Sequence, residues 1–293
     1  MSAFIDQHRA RFGVEPICRT LGVSESAYFA RAQGRRSRRA SEDEQLVEAI
    51  RQLHARNWYA YGYRRVWLAL CREGWQVGRD RVARLMREHG IEGAKRRSKR
   101  WRTTQANVAA ARPCDLVERR FRADRPDALW VADLTYLRSW QGVAYLAFVL
   151  DAYSRRIVGW QLATNMRTSL VLDALRMALS RRQSGADVEL VHHSDAGAQY
   201  TSREFQQLLD DHQVLASIGT VGDAYDNALA ESFVDTLKTE LVADRVFPSR
   251  RALELAVVAW IGWYNQTRLH SSIDDHSPAE HEHAYYAANQ PAA

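Results

Sequence analysis

The chain has 293 residues, enough for two or three domains, and its contents of 46% hydrophobic and 26% charged residues are typical of a soluble globular protein. Its longest apolar run, Val143 to Leu150, is far too short to span a bilayer, and its first residues lack the pattern of an export signal. Three scattered cysteines without a paired motif argue against a disulfide framework or a zinc knuckle, and they predict a cytoplasmic protein with reduced thiols.

The net charge of +6 is unevenly distributed along the chain. Residues 1–124 contain 27 Lys and Arg against 14 Asp and Glu, which gives +13, whereas residues 125–293 contain 14 against 21, which gives −7. This asymmetry indicates a polyanion-binding front part joined to a domain that holds cations of its own, the alternative being an ordinary solvated surface. Clustered arginines favour nucleic acid, because a guanidinium group matches two donors to phosphate oxygens.

Residues 1–40 are predicted to form a helix-turn-helix-like segment followed by a basic linker. Two short helices are indicated between Glu15 and Ala32, with Gly22 ending the first and Ser24 as the N-cap of the second. Their size and spacing are typical of a helix-turn-helix, whose second helix enters the major groove of DNA. A helical hairpin that binds no ligand is the alternative.

A second small helical domain, of winged-helix or helix-turn-helix type, is predicted over residues 41–93. Ser41 and Glu44 fit a capping box, and apolar residues recur behind them at steps of three and four. Trp67, at helical spacing, is interpreted as a core residue. The predicted DNA contacts of this domain are the aromatic and basic residues around Gly62, namely Tyr61, Tyr63, Arg64 and Arg65.

Residues 94–123 form a basic connector between this domain and the rest of the chain. We expect the connector to follow a DNA backbone, since it joins two parts that would each bind DNA, although a solvated linker has the same composition. The predicted phosphate contacts are Arg96, Arg97, Lys99 and Arg100.

From residue 124 to 285 the pattern is that of an α/β catalytic core with a C-terminal helical extension, and residues 286–293 are assigned to a tail. The five predicted strands are Leu129–Leu137, Val143–Leu150, Ile157–Leu162, Val188–Val191 and Val214–Ile218. Helix starts are predicted at Thr168, at Thr201 with Glu204 as a capping box, and at Asp226. Three antiparallel strands followed by helix-linked parallel strands predict a ribonuclease-H-like fold, a mixed five-stranded sheet with helices.

This topology would bring three acids together. Asp133 lies within the first, central strand, where an ionisable residue is costly unless it is paired or bound to a metal. Asp195 follows the fourth strand, which lies beside the first in this fold, and Glu231 lies early on the closing helix. Taken singly, Asp195 and Glu231 have simpler explanations as a loop turn and a solvated helix residue. All three at these positions favour a two-metal phosphoryl-transfer site, because hard divalent cations prefer carboxylate oxygens.

Lys238 is the predicted basic neighbour of these acids. It lies seven residues after Glu231, close to two helical turns, so it returns to nearly the same helix face. There it is expected to pair with a DNA phosphate.

The spacing of these acids and several sequence segments resemble those of a known protein family. Thirty-five residues separate Asp195 from Glu231, and this spacing is similar to the D,D-35-E pattern of the integrase-like core of bacterial insertion-sequence transposases, which are relatives of retroviral integrases. The closest likeness is to the group whose second reading frame encodes this core. The segments that resemble the family are Trp130–Tyr136, Asp151–Trp160, His193–Tyr200, Gly222–Ser232, Tyr264–His270 and, upstream, Tyr61–Arg65 and Arg81–Arg87. Ser271 to Pro278 departs from the family, which tends toward a Leu-Gly turn there.

The resemblance implies a DDE transposase that cleaves and joins DNA at the ends of its insertion sequence. Asp133, Asp195 and Glu231 would hold two Mg²⁺ (or Mn²⁺) ions, and Lys238 would position the DNA. Water would attack one phosphodiester and free a 3′-OH, which would then attack a second phosphodiester in line. Residues of second rank near the site are Gln199, Tyr200, Asn227 and His270.

The implied partners are double-stranded DNA, as terminal inverted repeats and as target, and further copies of the chain that bridge two DNA ends. A helix-turn-helix product of an upstream frame is a further expected partner or frameshift fusion. The expected location is the bacterial cytoplasm, in association with the nucleoid when DNA is bound. Two alternatives stay open: a ribonuclease-H-fold nuclease that only hydrolyses DNA, and a non-catalytic DNA-binding regulator derived from a transposase.

Overall fold

The chain divides into two compact units, residues 1–93 and residues 94–293. The computed structural model describes residues 2–33, 38–95, 113–117, 121–182, 189–219, 227–243 and 245–289. The predicted phosphate contacts Arg96, Arg97, Lys99 and Arg100 lie outside these ranges, as does the predicted helix start at Asp226. None of the described helices is both long and apolar enough to cross a membrane.

The described part of the first unit is helical. Its helices are α1 (Ser2–Phe12), α2 (Val14–Leu21), α3 (Glu25–Ala32), α4 (Arg38–Arg56), α5 (Tyr63–Arg72) and α6 (Arg79–Glu88). The predicted pair around Gly22 is confirmed. Gly22 adopts φ 65° as the C-cap of α2, and the Ser24 hydroxyl accepts from the Ala27 N–H at the start of α3. Helix α1 was not predicted, because it offers little apolar periodicity and buries Ile5 as its main contribution to a core with α2 and α3.

The start of α4 corrects one prediction. The helix begins at Arg38, so Ser41 lies inside it and the capping box of Ser41 with Glu44 is wrong. An ion pair between Arg38 and Glu42, at 2.9 Å and a spacing of four, stabilises the extra turn. The apolar residues predicted at steps of three and four are buried, namely Leu46, Val47, Ile50 and Leu53. The half-buried Trp67 donates its indole N–H to the Val77 carbonyl at 2.9 Å, which agrees with a packing role.

A carboxylate clamp holds α6 against α4. Asp43 on α4 lies 2.6 Å from the Arg81 guanidinium and 2.7 Å from that of Arg84, both on α6. These arginines, of which Arg84 is the first cause, lower the pKa of Asp43. The pairing therefore commits two of the four arginines of α6 to helix packing.

The second unit contains the predicted mixed five-stranded sheet. Its strands are β1 (Leu129–Ser139), β2 (Gly142–Asp151), β3 (Ile157–Ala163), β4 (Leu190–Ser194) and β5 (Val214–Ile218), in the order β3-β2-β1-β4-β5. The first three strands are antiparallel, whereas β1, β4 and β5 are parallel. The helices are α7 (Thr168–Arg181), α8 (Arg203–Asp211), α9 (Ala228–Leu237), α10 (Arg250–Gln266) and α11 (Pro278–Ala288). This is the ribonuclease-H-like arrangement that the sequence predicts.

Helices cover both faces of the sheet. On one face, residues of α7 and α8 such as Leu175 and Phe205 form a core with Trp130 and Val149 of the sheet. The other face packs through aromatic contacts, with Phe148 and Phe233 rings 4.4 Å apart. Since both faces are covered, the central strands are almost continuously apolar, and an acid among them stands out.

Three local boundaries differ from the predictions. Strand β4 extends through His192 and His193, which are buried, rather than ending before them. The cap of α8 is Ser202, whose hydroxyl accepts from the Phe205 N–H at 3.3 Å, so the capping box of Thr201 with Glu204 is wrong. Thr168 is the first residue of α7 and follows an N-cap without a side-chain bond. Adjacent polar residues compete for a cap, and the sequence does not decide between them.

The C-terminal helix is anchored through a buried ion cluster at the β2–β3 turn. Glu282 on α11 is 3% exposed, accepts from the Ser154 hydroxyl at 2.8 Å, and pairs with Arg156 and Arg182. Asp151 accepts from the N–H and the hydroxyl of the same Ser154, each at 2.8 Å. The cluster ties α11 to the sheet next to the residues that precede β3.

Candidate active site

Asp133 and Asp195 are brought to the same level by the parallel pairing of β1 with β4. Val131 and His193 are Cα partners in that pairing. Asp133 lies two residues beyond Val131 on β1, and Asp195 directly follows the last residue of β4, so the two acids come at the same level. Neighbouring strands are about 4.8 Å apart, and the two carboxylates lie within electrostatic range of each other.

Of the two aspartates, Asp133 has the more strongly raised pKa. Burial, first, then the charge of Asp195 and, less strongly, that of Glu231 raise the pKa of Asp133, which lies at about 7. The Leu134 N–H, which donates to Asp133 at 2.7 Å, and the Lys238 ammonium act in the opposite direction. A carboxylate that is desolvated and faces two other acids requires a compensating cation or a proton.

Asp195 is held by the loop that follows β4. Its carboxylate accepts from the Gly197 N–H at 3.1 Å, and burial raises its pKa while this bond and His193 lower it. A Cβ atom at position 197 would lie 3.0 Å from Asp195 Oδ1. Glycine is therefore the residue that permits the amide to approach the carboxylate at this distance.

Glu231 reaches the pair from the first turn of α9. The side-chain amide of Asn227, the N-cap of α9, donates to the Ala132 carbonyl at 3.2 Å and so fixes the start of the helix beside β1. One turn later Glu231 is exposed, and its charge acts on Asp133. The Asn227 prediction therefore falls next to the acids, at a position that links α9 to β1.

The residues present fit a hard divalent cation only in part. Among the described residues, no group of three or more His, Cys, Asp or Glu side chains is gathered closely enough to hold a metal ion. Asp133 and Asp195 supply carboxylate oxygens, which are the ligands that Mg²⁺ prefers. A cation between them would also relieve the repulsion between the two negative charges. Glu231 is exposed on the first turn of α9, and its charge acts on Asp133.

Lys238 lies where α9 ends and a π-helical turn, Lys238–Val242, begins. Its ammonium is 4.7 Å from the centroid of the Tyr136 ring, and partial burial lowers its pKa, while the charges of Asp235 and Asp133 oppose that change. The predicted proximity of Lys238 to the acids is thus present in the structure. π-Helical turns are rare and frequently occur at functional sites.

Gln199 and Tyr200 line the same loop. Gln199 donates its amide to the Met166 carbonyl at 3.0 Å. Tyr200 is buried, and its hydroxyl has no hydrogen-bond partner among the residues that the structure describes. Burial, with the charges of Asp133 and Asp195, raises the pKa of Tyr200 far above its usual value, so the hydroxyl keeps its proton.

His270 occupies a different environment from the one predicted. It is buried and lies 3.0 Å from the Arg268 guanidinium, which forms a two-pronged ion pair with Glu240 at 2.6 and 2.8 Å. Asn265 of the same sequence motif exchanges two hydrogen bonds with the backbone of Ile157, each at 2.9 Å. The Tyr264–His270 segment therefore connects α10 to the sheet and to the π-helical turn, which is a packing role.

In the first unit, the predicted contacts separate into a buried and an exposed set. Tyr61 is only 1% exposed, so the expectation that it stacks on a base is corrected: its ring belongs to the core and faces the Arg65 guanidinium at 5.8 Å. Tyr63 is 48% exposed and Arg64 is also exposed. These two residues, at the first turn of α5, keep the accessibility that a DNA contact needs.

Sequence reasoning missed two residues of the site. The sequence analysis assigns no role to Gly197, although a glycine two residues after a strand-end acid is a signal for a close backbone contact. Tyr136 ends the Trp130–Tyr136 segment that resembles the family, but the sequence predicts no role for it. In the structure its ring faces Lys238. A tyrosine three residues beyond an acid on the same strand gives no comparable signal.

Two family descriptions match most of the chain. An integrase core domain matches residues 123–224, and a second model of an integrase core domain matches residues 212–278. An HTH-like domain matches residues 41–99.

Several curated proteins are similar to the chain over most of its length. A Mycobacterium tuberculosis protein assigned to the insertion sequence element IS986/IS6110 is 46% identical over 278 residues, which cover 93% of this chain and 100% of that protein. The transposase for insertion sequence element IS629 of Shigella sonnei is 43% identical over 294 residues, covering 98% and 97%. The Escherichia coli transposase for insertion sequence IS3A is 33% identical over 282 residues, covering 95% and 97%.

Solved structures with similar folds include retroviral proteins. The HTLV-2 integrase catalytic core domain in complex with magnesium is 18% identical with a TM-score of 0.42, over 55% of this chain and 99% of that chain. The intasome of simian T-cell lymphotropic virus with a PP2A regulatory subunit is 16% identical with a TM-score of 0.49, over 83% and 78%. From the sequence identities and the matched domains together, the chain belongs to the insertion-sequence transposases that carry an integrase core domain.

Proposed function

We propose that this chain is a DNA transposase that cuts and joins DNA at the ends of its insertion sequence, with Asp133, Asp195 and Glu231 as its essential acids. The observation that carries the proposal is the desolvated carboxylate pair of Asp133 and Asp195 at the level where β1 and β4 run side by side. Such a pair is costly to bury and has no evident packing purpose. Membership of the transposase family supports DNA as the substrate.

Several residues of the chain would have distinct roles in phosphoryl transfer. Asp133 and Asp195 would hold Mg²⁺ or Mn²⁺, with Glu231 completing the ligand set from α9, and two ions per site are expected. When bound, the cations would activate the attacking oxygen and stabilise the leaving one. The Gly197 N–H orients the Asp195 carboxylate, and Lys238 offers a positive charge to a DNA phosphate beside the acids.

The proposed partners are terminal inverted repeats, target DNA and further copies of the chain. In the first unit, exposed residues at the start of α5, including Tyr63 and Arg64, are proposed to contact DNA. The connector with Arg96, Arg97, Lys99 and Arg100 is proposed to contact phosphates. A paired-end reaction needs at least two active sites near one another, which supports an oligomer on DNA.

The proposal is tested by strand transfer with the full chain. A labelled duplex with the terminal repeat that flanks the gene is incubated with Mg²⁺ and a target plasmid, and cut and joined products are separated. We expect Asp195→Asn and Glu231→Gln to lower both products by about a hundredfold to a thousandfold, since removal of a group that stabilises transition-state charge has effects of this size.

Matched controls come from helix α8. Asp210→Asn and Glu204→Gln remove exposed carboxylates of the same types, and they should leave both products unchanged. If Glu231→Gln joined DNA at the wild-type rate, the acid assignment would be wrong. If the wild type cut DNA and never joined it, the protein would be a nuclease of the same fold.

A further inference from the structure

Two cations converge on one aromatic ring near the acid pair. The Lys238 ammonium lies 4.7 Å from the centroid of Tyr136, and the Arg138 guanidinium lies 5.9 Å from it. Within the described ranges, neither Lys238 nor Arg138 forms an ion pair with a carboxylate. Each of these two cations can pair with a phosphate of a bound DNA strand.

An exposed tryptophan lies two residues beyond Arg138. Trp140, at the turn between β1 and β2, is 76% exposed, the largest exposed fraction among the described large apolar side chains. Its ring therefore contributes little to the core of the second unit. A single exposed apolar residue is common, but a tryptophan beside clustered cations is a combination typical of nucleic-acid surfaces.

The backbone that carries Trp140 is firmly held. The Trp140 N–H donates to the Phe247 carbonyl at 2.9 Å, and Ser139 forms a bridge with Phe247. Arg250 donates its backbone N–H to the Gln141 side-chain oxygen and its guanidinium to the Gln141 carbonyl, each at 3.1 Å. The turn is thus braced from a second segment while the indole ring projects into water. Preorganisation of this kind lowers the entropic cost of binding.

Tyr136 and Arg138 lie beyond Asp133 on β1 and, by strand alternation, on the other face of the sheet. Lys238 links them to the acids, because its charge acts on Asp133 and its ammonium faces the Tyr136 ring. We name Tyr136, Arg138, Trp140, Lys238 and Arg250 the hairpin surface. With a rise of about 3.3 Å per residue, Trp140 lies roughly 23 Å along the strand from Asp133. That length accommodates several nucleotides of one DNA strand, the size of site that single-strand-binding surfaces provide.

We propose that the hairpin surface binds the DNA strand that runs outward from the acid pair, with phosphates at Lys238 and Arg138 and an unpaired base stacked on Trp140. The inference rests on the proposed function, because it takes DNA as the substrate of the second unit. A duplex offers phosphates to the cations but no free base face to the indole. Trp140 should therefore matter for unpaired nucleotides in particular.

The test compares two fluorescein-labelled probes bound to the full chain, a blunt duplex of 20 base pairs and the same duplex with a single-stranded extension of five nucleotides. Trp140→Ala should weaken binding of the extended duplex roughly tenfold, the effect of one base–aromatic stack, and change binding of the blunt duplex less than about twofold. Trp140→Phe should restore binding of the extended duplex. Arg138→Ala should lower the slope of log Kd against log salt by about one for both probes.

Controls separate binding from folding and from the wider proposal. Val143→Ala, which truncates an exposed residue opposite Arg138 on β2, should bind both probes normally, and thermal unfolding should match the wild type. Equal losses on both probes for Trp140→Ala, or no loss on either, would overturn the inference. A change in oligomeric mass with unchanged DNA binding would also overturn it, since the surface would then bind protein.

The same preparations distinguish this inference from the proposed function. If Asp195→Asn abolishes strand transfer while Trp140→Ala binds normally, only the hairpin surface is misassigned. If Asp195→Asn stays active, the acid assignment fails whatever the binding of the Trp140 variants.

Discussion

At the scale of single residues, the candidate site depends on how closely the backbone approaches one carboxylate. Asp195 follows β4 directly and is oriented by the N–H of Gly197. The φ angle of Gly197 is not in the left-handed region, so alanine is conformationally permitted there. The glycine is needed for space next to the carboxylate.

Gly197→Ala should therefore reduce strand transfer without unfolding the protein. A Cβ atom 3.0 Å from Asp195 Oδ1 would displace the carboxylate by a few tenths of an ångström. We expect a roughly tenfold loss of joined product, equivalent to about 1.4 kcal/mol of activation free energy. Quantified strand-transfer rates measure the change.

Gly262→Ala is the matched control for Gly197→Ala. It adds the same methyl group within α10, where no atom lies within 4 Å of the new Cβ. It should leave strand transfer unchanged and stabilise the helix by roughly 0.5–1 kcal/mol. Wild-type activity in Gly197→Ala would contradict the assigned role of the glycine.

His192 predicts a pH dependence of stability. Burial lowers the pKa of His192 to about 3, and neighbouring His193 contributes in the same direction, whereas an unfolded histidine titrates near 6.5. Between these values the unfolded chain binds a proton that the folded chain excludes. The stabilisation is therefore complete above pH 6.5 and falls by about 1.4 kcal/mol for each unit of decreasing pH between 6.5 and 3.

Urea unfolding at pH 7.5 and 5.5, followed by tryptophan fluorescence, measures this slope. His192→Leu removes the titrating group and should lose less stability than the wild type between the two pH values. His212→Asn, at the exposed C-terminal end of α8, should keep the wild-type difference. An unchanged pH dependence in His192→Leu would contradict the assignment.

At the scale of elements, polar side chains fix how helices meet the sheet. Asn227 ties the start of α9 to β1, and Asn265 ties α10 to the first residue of β3. Arg268 holds the π-helical turn through Glu240. The Asn227 and Arg268 bonds hold the start of α9, near Glu231, and the π-helical turn that begins at Lys238.

The ion cluster of α11 is expected to be essential for docking that helix. Glu282→Ala would remove the buried carboxylate that pairs with both Arg156 and Arg182, leaving the largely buried Arg182 with Asp127 at 3.3 Å. We expect a loss of about 3 kcal/mol in unfolding free energy. Asp173→Ala, which removes half of the exposed pair with Arg176, should cost less than about 0.5 kcal/mol. Chemical denaturation of both variants makes the comparison, and equal losses would show that the cluster is no more important than a surface pair.

At the scale of the whole molecule, the sequence was sufficient for the order of the strands in the second unit and for the neighbouring positions of Asp133 and Asp195. Strands were predictable because a covered sheet requires continuous apolar runs, and Asp133 stood out within such a run. The N-terminal ends of α4 and α8 were not predictable from the sequence, because adjacent polar residues compete for the cap position and tertiary packing selects among them. Tyr61 and Tyr63 have similar neighbours, and only the packing of α5 separates the buried ring from the exposed one.

The short parallel pairing between β1 and β4 has a consequence for how insertion sequences that encode this protein lose their activity. Only Leu129, Trp130 and Val131 pair with β4, and this register sets the level of Asp133 relative to Asp195. Loss or gain of one codon between Val131 and Asp133 would turn Asp133, and every later side chain of β1, to the opposite face of the sheet. Copies with such an indel would keep the first unit, with the exposed Tyr63 and Arg64 that are proposed to bind DNA. They would compete with intact copies for the same ends, so a small frame-preserving lesion would convert a transposase into its own inhibitor.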